Sequence, residues 1–177
     1  MKKIVMLAFS LASMVLYSQV VIGNSAQPQL SSPSVSLEFT TPGGVVLPYV
    51  DEASADSNGA AAEGTLIMDP ISNKVKLKLD SGWLNLSSAA AITNAIDLTT
   101  QNNKIEEADA RVIIGQDGQT NTTKGLLILS DTNKAMVLPK VASPHLNIKN
   151  PAAGMIVYDT YDKQLAVFNG TQWSFWK

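Results

Sequence analysis

Residues 64–69 read Gly-Thr-Leu-Ile-Met-Asp and residues 154–159 read Gly-Met-Ile-Val-Tyr-Asp; nineteen positions beyond each glycine stands a tryptophan, Trp83 and Trp173. The offset is ninety throughout, so neither copy carries an insertion between glycine and tryptophan. A fixed period of this kind marks a repeated structural unit. In the first copy, Leu66 to Asp69 is apolar and branched, Pro70-Ile71-Ser72-Asn73 supplies turn residues, and Val75 to Leu79 alternates apolar residues with lysine. Asp80-Ser81-Gly82 turns again before Trp83-Leu84-Asn85-Leu86. The second copy follows the same path through Met155 to Tyr158, Thr160 to Lys163, Leu165 to Phe168, Asn169-Gly170-Thr171 and Trp173 to Trp176. Alternation at period two with turn clusters between the runs is the signature of strands. Each copy therefore predicts a three-strand antiparallel meander, and Asn169-Gly170 predicts a type I′ turn, both of whose central residues need positive φ.

Upstream of each meander the similarity continues. Val21-Ile22-Gly23, Ser36-Leu37-Glu38-Phe39 and Val46-Leu47-Pro48-Tyr49-Val50 are answered by Ile113-Ile114-Gly115, Leu126-Leu127-Ile128-Leu129 and Val137-Leu138-Pro139-Lys140-Val141. Between proline and glycine the first copy is one residue longer, which places the length change in the polar stretch Asp51 to Glu63 and marks it as a loop. The fold expected is mainly β: a first β repeat over 19–87 and a second over 112–177, joined by a flexible or short helical connector over 88–111. That connector is long and polar, which speaks against obligatory docking of the two repeats.

Residues 1–18 read as a signal peptide. Lys2 and Lys3 precede an uncharged run from Ile4 to Leu16, and small or polar residues follow at Tyr17-Ser18-Gln19, placing cleavage after Ser18. The apolar run is shorter than the roughly 20 residues a spanning helix needs, so no transmembrane span is expected in the mature chain. The chain is expected to be exported to the outer cell surface or the extracellular space. It has no cysteine, which removes disulfides and thiolate metal sites. Without Lys2 and Lys3, eleven basic residues face fifteen acidic ones, a formal charge of −4. Basic residues are scattered, and the one series, Lys74, Lys76 and Lys78, falls at period two as a solvated strand face; no nucleic-acid partner is expected.

The runs Val-Ile-Ile-Gly at 112–115, Met136-Val137-Leu138-Pro139-Lys140-Val141, Pro151-Ala152-Ala153-Gly154-Met155-Ile156-Val157-Tyr158-Asp159 and Phe168-Asn169-Gly170-Thr171-Gln172-Trp173 resemble a repeat of secreted surface proteins of Bacteroidetes, akin in style to phage tail-fibre modules. The resemblance covers the second copy fully and the first in degenerate form; the family's usual Arg after Leu-Pro is Lys140 in the second copy and Tyr49 in the first, which also has Asp80-Ser81-Gly82 where Asn-Gly is usual. The resemblance implies surface exposure and fibre-like self-association, a homotrimer by analogy, and brings no catalytic residue with it.

Chemistry-bearing residues are few. His145, the sole histidine, lies in Ser143-Pro144-His145 with no Gly-x-Ser-x-Gly motif to supply a nucleophile, so it reads as a loop residue and no catalytic group is expected. Asp51, Glu52, Asp56 and Glu63 fail EF-hand spacing and read as a solvated loop, while Asp69 and Asp159 read as turn-forming side chains. No metal or cofactor is expected. Trp83 and Trp173, together with Leu47, Pro48, Leu138, Pro139, Gly64 and Gly154, read as the structural core of the repeat, whereas Tyr161 and Trp176 remain candidates for contact with a glycan or protein. The sequence thus predicts a non-enzymatic structural or adhesive surface protein that self-associates, with a monomeric carbohydrate-binding module as the alternative.

Overall fold

The computed structural model describes residues 19–23, 30–57, 61–88, 96–105, 107, 110–115, 117–118 and 120–177. The leader read over 1–18, its cleavage step and part of the connector lie outside the described residues. The chain is mainly β. One meander joins β4 (Leu66–Asp69), β5 (Lys74–Leu79) and β6 (Gly82–Asn85); the other joins β11 (Met155–Asp159), β12 (Gln164–Phe168) and β13 (Trp173–Trp176). Their registers correspond: Met68 faces Val75 as Tyr158 faces Leu165, and Lys78 faces Trp83 as Phe168 faces Trp173.

The turns correspond as well. Asp69 Oδ1 accepts the Ile71 and Ser72 N–H groups, and Asp159 Oδ1 accepts those of Tyr161 and Asp162, while Asn73 and Lys163 close their turns at φ +52° and +55°. The Asn169-Gly170 turn is not the type I′ expected. Gly170 takes φ +99° but Asn169 is not left-handed; its Oδ1 instead accepts the Thr171 and Gln172 N–H groups, and its own N–H donates to Gln172 O at 3.2 Å. The asparagine builds a side-chain turn across a four-residue loop.

Ahead of each meander, β1 (Val20–Ile22) lies parallel to β2 (Val35–Phe39), and β7 (Val112–Ile114) parallel to β8 (Leu127–Leu129). The glycine after each first strand is set by close approach: a Cβ on Gly23 would collide with the Thr40 hydroxyl, and one on Gly115 with that of Ser130. Each Leu-Pro step then delivers the chain to a meander edge. Tyr49 bridges Met68, with Met68 N–H donating to Pro48 O at 3.0 Å; likewise β10 (Lys140–Val141) pairs with β11, with Tyr158 N–H donating to Pro139 O at 2.9 Å.

The short strand before each Leu-Pro step crosses to the other repeat. β3 (Val45–Val46) pairs antiparallel with β11, and β9 (Ala135–Val137) pairs parallel with β2. One core follows from this exchange, with Leu47, Met68, Val75 and Leu86 packed against Ile156 and Val167. The connector contributes Ile96 to that core and, through α2 (Thr99–Asn102), donates Gln101 Nε2 to Tyr49 O at 2.8 Å. Docking that the polar connector spoke against is thus secured by strand pairing elsewhere.

The stretch read as a loop over 51–63 contains a helix, α1 (Glu52–Ser57), capped by Asp51, whose carboxylate accepts both the N–H and the hydroxyl of Ser54. The lysine series is no solvated face. Lys76 is buried between Asp69, at 2.6 Å, and Glu52 of α1; Lys78 bonds Asp56 at 3.1 Å.

Candidate assembly surface

Of the four acids Asp51, Glu52, Asp56 and Glu63 that a cation site would draw on, three are already engaged. Asp51 caps α1, Glu52 binds Lys76, and Asp56 accepts from both Lys78 Nζ and Trp83 Nε1, the latter at 3.0 Å. No cluster of three or more metal-ligating side chains occurs among the described residues. Burial works against the charge on Lys76, but the Asp69 and Glu52 carboxylates outweigh it and hold its pKa above the ordinary lysine value. Burial likewise works against the Asp69 carboxylate; Lys76, the Ser72 hydroxyl and two backbone N–H groups overcome it and hold its pKa below the ordinary value. The group has the character of a structural clamp fastening α1 to β5.

His145 lies exposed on α3 (Pro144–Asn147) with its ring edge-on to Phe175, centroids 5.8 Å apart; no hydroxyl or carboxylate among the described residues is bonded to it. Trp173 is half-buried against Phe168 at a centroid distance of 5.2 Å, and Trp83 is half-buried beneath Lys78 and Asp56. Leu47, Pro139 and Gly154 are buried, Pro48 and Leu138 half-buried, and Gly64 exposed. Tyr161 stands at the surface in the turn between β11 and β12, and Trp176 donates its indole N–H to Leu86 O. The ring pairs found among the described residues are His145–Phe175 and Phe168–Trp173, and neither includes Tyr161 or Trp176.

What the surface offers instead is unsealed sheet and apolar skin. Val46, Leu126, Leu127, Tyr158, Phe175 and Trp176 are exposed, and a shallow groove of about 400 Å³ runs between Met136, Val137, Leu138, Lys140 and Tyr158. Equivalent positions differ in burial by repeat. Met68 is 0 % exposed and its counterpart Tyr158 36 %; Leu86 is 7 % exposed and its counterpart Trp176 41 %. At these two positions the first repeat is covered, while the second presents its residue outward. Apolar surface grouped in this way marks an interaction face. The sequence signal that could have found it was the ninety-residue offset itself, which pairs Met68 with Tyr158 and Leu86 with Trp176.

The architecture is one of short β units whose outer edges are unpaired among the described residues, the kind of edge that another chain can cover. A family model described as phage tail like trimerisation region matches residues 114–176, from the end of β7 through β13. The match points to a structural, trimeric and fibre-like role for that region. Searches of curated proteins and of solved structures found no match. No helix among the described residues is long and apolar enough to cross a membrane.

Proposed function

We propose that the chain is an exported structural and adhesive component of a bacterial cell surface or extracellular fibre, assembled as a homotrimer through its two β repeats, 19–87 and 112–177. The observation that carries this reading is the similarity of residues 114–176 to a trimerisation region, together with the apolar face that the same residues expose. Self-association covers such a face, and a partner protein or surface glycan is taken by what remains outside, with Tyr161 and Trp176 as the contact residues. The resemblance to secreted repeats of Bacteroidetes supports a surface location, and the Lys-Lys, apolar, Ser18 leader supplies the route.

Labelling intact cells of the native host tests the location, and intact-mass measurement of the recovered protein tests the route. The expected result is surface label on a chain beginning near Gln19. A protein retained inside the cell with Met1 in place would overturn export. Glycan binding by a stable monomer would replace the structural reading with that of a carbohydrate-binding module.

A further inference from the structure

We infer that the contact between two chains repeats the contact between the two repeats of one chain, with β9 of one copy sealing the open edge of β4 of another and β3 of that other copy pairing with β8 of the first. This rests on the reading that the chain self-associates, and it names the edges that do so.

The template is internal. β11 has β12 on one side; its other side is shared by β3 at Met155 and Ile156 and by β10 at Tyr158 and Asp159. β4, its counterpart, has β5 on one side and, among the described residues, only the Tyr49 bridge at Met68 on the other. The half-edge that β3 fills on β11 is therefore open on β4, at Thr65 and Leu66. The natural filler is the counterpart of β3, which is β9, and β9 has one side on β2 and the other unpaired among the described residues. In the same way β2 receives β9, whereas its counterpart β8 pairs only with β7 among the described residues. Among the edges left unpaired in the described residues, those of β3, β4, β8 and β9 thus form the two halves of a contact already made once.

Packing shows the same vacancy. Gly154 is crowded, its would-be Cβ lying 2.8 Å from Met68 Cβ and 3.6 Å from Leu47 Cβ; the counterpart Gly64 has open space around it. A second copy docked in the template register brings Tyr158 and Leu138, the counterparts of Met68 and Leu47, against Gly64. Those two residues line the groove beside β9, and they are more exposed than their counterparts in the first repeat. A contact of this kind is head-to-tail rather than a symmetric pair, and the trimeric reading requires that its rotation close into a ring. Three chains would supply six repeats in which internal and intermolecular versions alternate.

The register is explicit. Val46 opposite Met155 and Val45 opposite Ile156 translate into Val137 opposite Thr65 and Met136 opposite Leu66 of the partner. Leu47 N–H donates to Gly154 O at 3.1 Å. By antiparallel alternation, Val45 and Ile156 are then the next hydrogen-bonded pair and Val46 and Met155 a non-bonded one, with Cα atoms about 4.5 Å apart. That spacing suits a disulfide, and the chain has no cysteine of its own.

The test uses the mature chain carrying Thr65→Cys co-expressed with the mature chain carrying Val137→Cys, the two distinguished by tags and oxidised mildly. About half of the chains, the share that random co-assembly in a head-to-tail ring places in the linkable order, should run as a mixed two-chain product on a non-reducing gel. A single chain carrying both Val46→Cys and Met155→Cys should close internally and establish that the register accepts the bond. If light scattering shows an assembly but no mixed product forms, or if Val137→Cys links instead to Met155→Cys of another chain, the edge assignment is overturned and self-association survives. A chain that stays monomeric overturns both.

Discussion

Gly154→Ala is expected to lower the stability of the chain by about 3 kcal/mol, the sum of about 1 kcal/mol for a side chain at positive φ and about 2 kcal/mol for overpacking a filled site. Gly154 sits at φ +75°, and the added methyl would meet Met68, which is fully buried. Gly64 is the internal control. Its φ of +83° is nearly the same and its surroundings are empty, so Gly64→Ala should cost about 1 kcal/mol in the dissociated chain. A further loss for Gly64→Ala should emerge only at concentrations where chains associate. Urea denaturation of both variants over a dilution series checks this. Equal losses at high dilution would mean that Met68 and Gly154 do not share a core.

Lys76→Met should cost about 3 kcal/mol or more near neutral pH, the range for leaving one member of a buried ion group without its partner. The ammonium lies between Asp69 and Glu52, and both Lys76 and Asp69 are buried. The sign of the pH dependence follows from the two shifts. Because the folded Asp69 pKa is lowered, its stabilisation is present above the unfolded value of about 4 and is lost as pH falls through the folded value. Because the folded Lys76 pKa is raised, its stabilisation is present below about 10.4 and is lost as pH rises through the folded value. The native chain should therefore hold its stability across the neutral range and lose it at both extremes. In the Lys76→Met chain protonation relieves the stranded Asp69, so the gap between the two proteins should narrow below about pH 4. Melting temperatures across that range decide the matter; a gap independent of pH would assign the loss to packing alone.

The meanders were legible because each residue in them obeys a local rule. Period two sets the strands, Asp69 and Asp159 start their turns with a side-chain acceptor, and the constant offset excludes insertions. The exchange of β3 and β9 was not legible. Each is two or three residues long, too short for periodicity to register, and each is fixed by a partner far away in sequence: Val45 by Ile156, Met136 by Leu37. The burial of Lys76 escaped for a related reason, since one of its two acids comes from α1, where Asp51 and Ser54 spelled a capped helix inside a stretch whose polarity suggested a loop. Of the candidate contact residues, Tyr161 was found exposed, while Trp176 is partly spent on Leu86. The face that distinguishes the two repeats became visible only when covered and open counterparts could be compared, as with Met68 and Tyr158.

Two β units that close each other's edges, and leave the same edges open at their outer ends, make self-association the central claim. Size-exclusion chromatography with light scattering on residues 19–177 at micromolar concentration tests it most directly. The expected result is one folded species with three times the chain mass, losing mass on dilution before it unfolds. A folded species with the mass of a single chain at every concentration would contradict it.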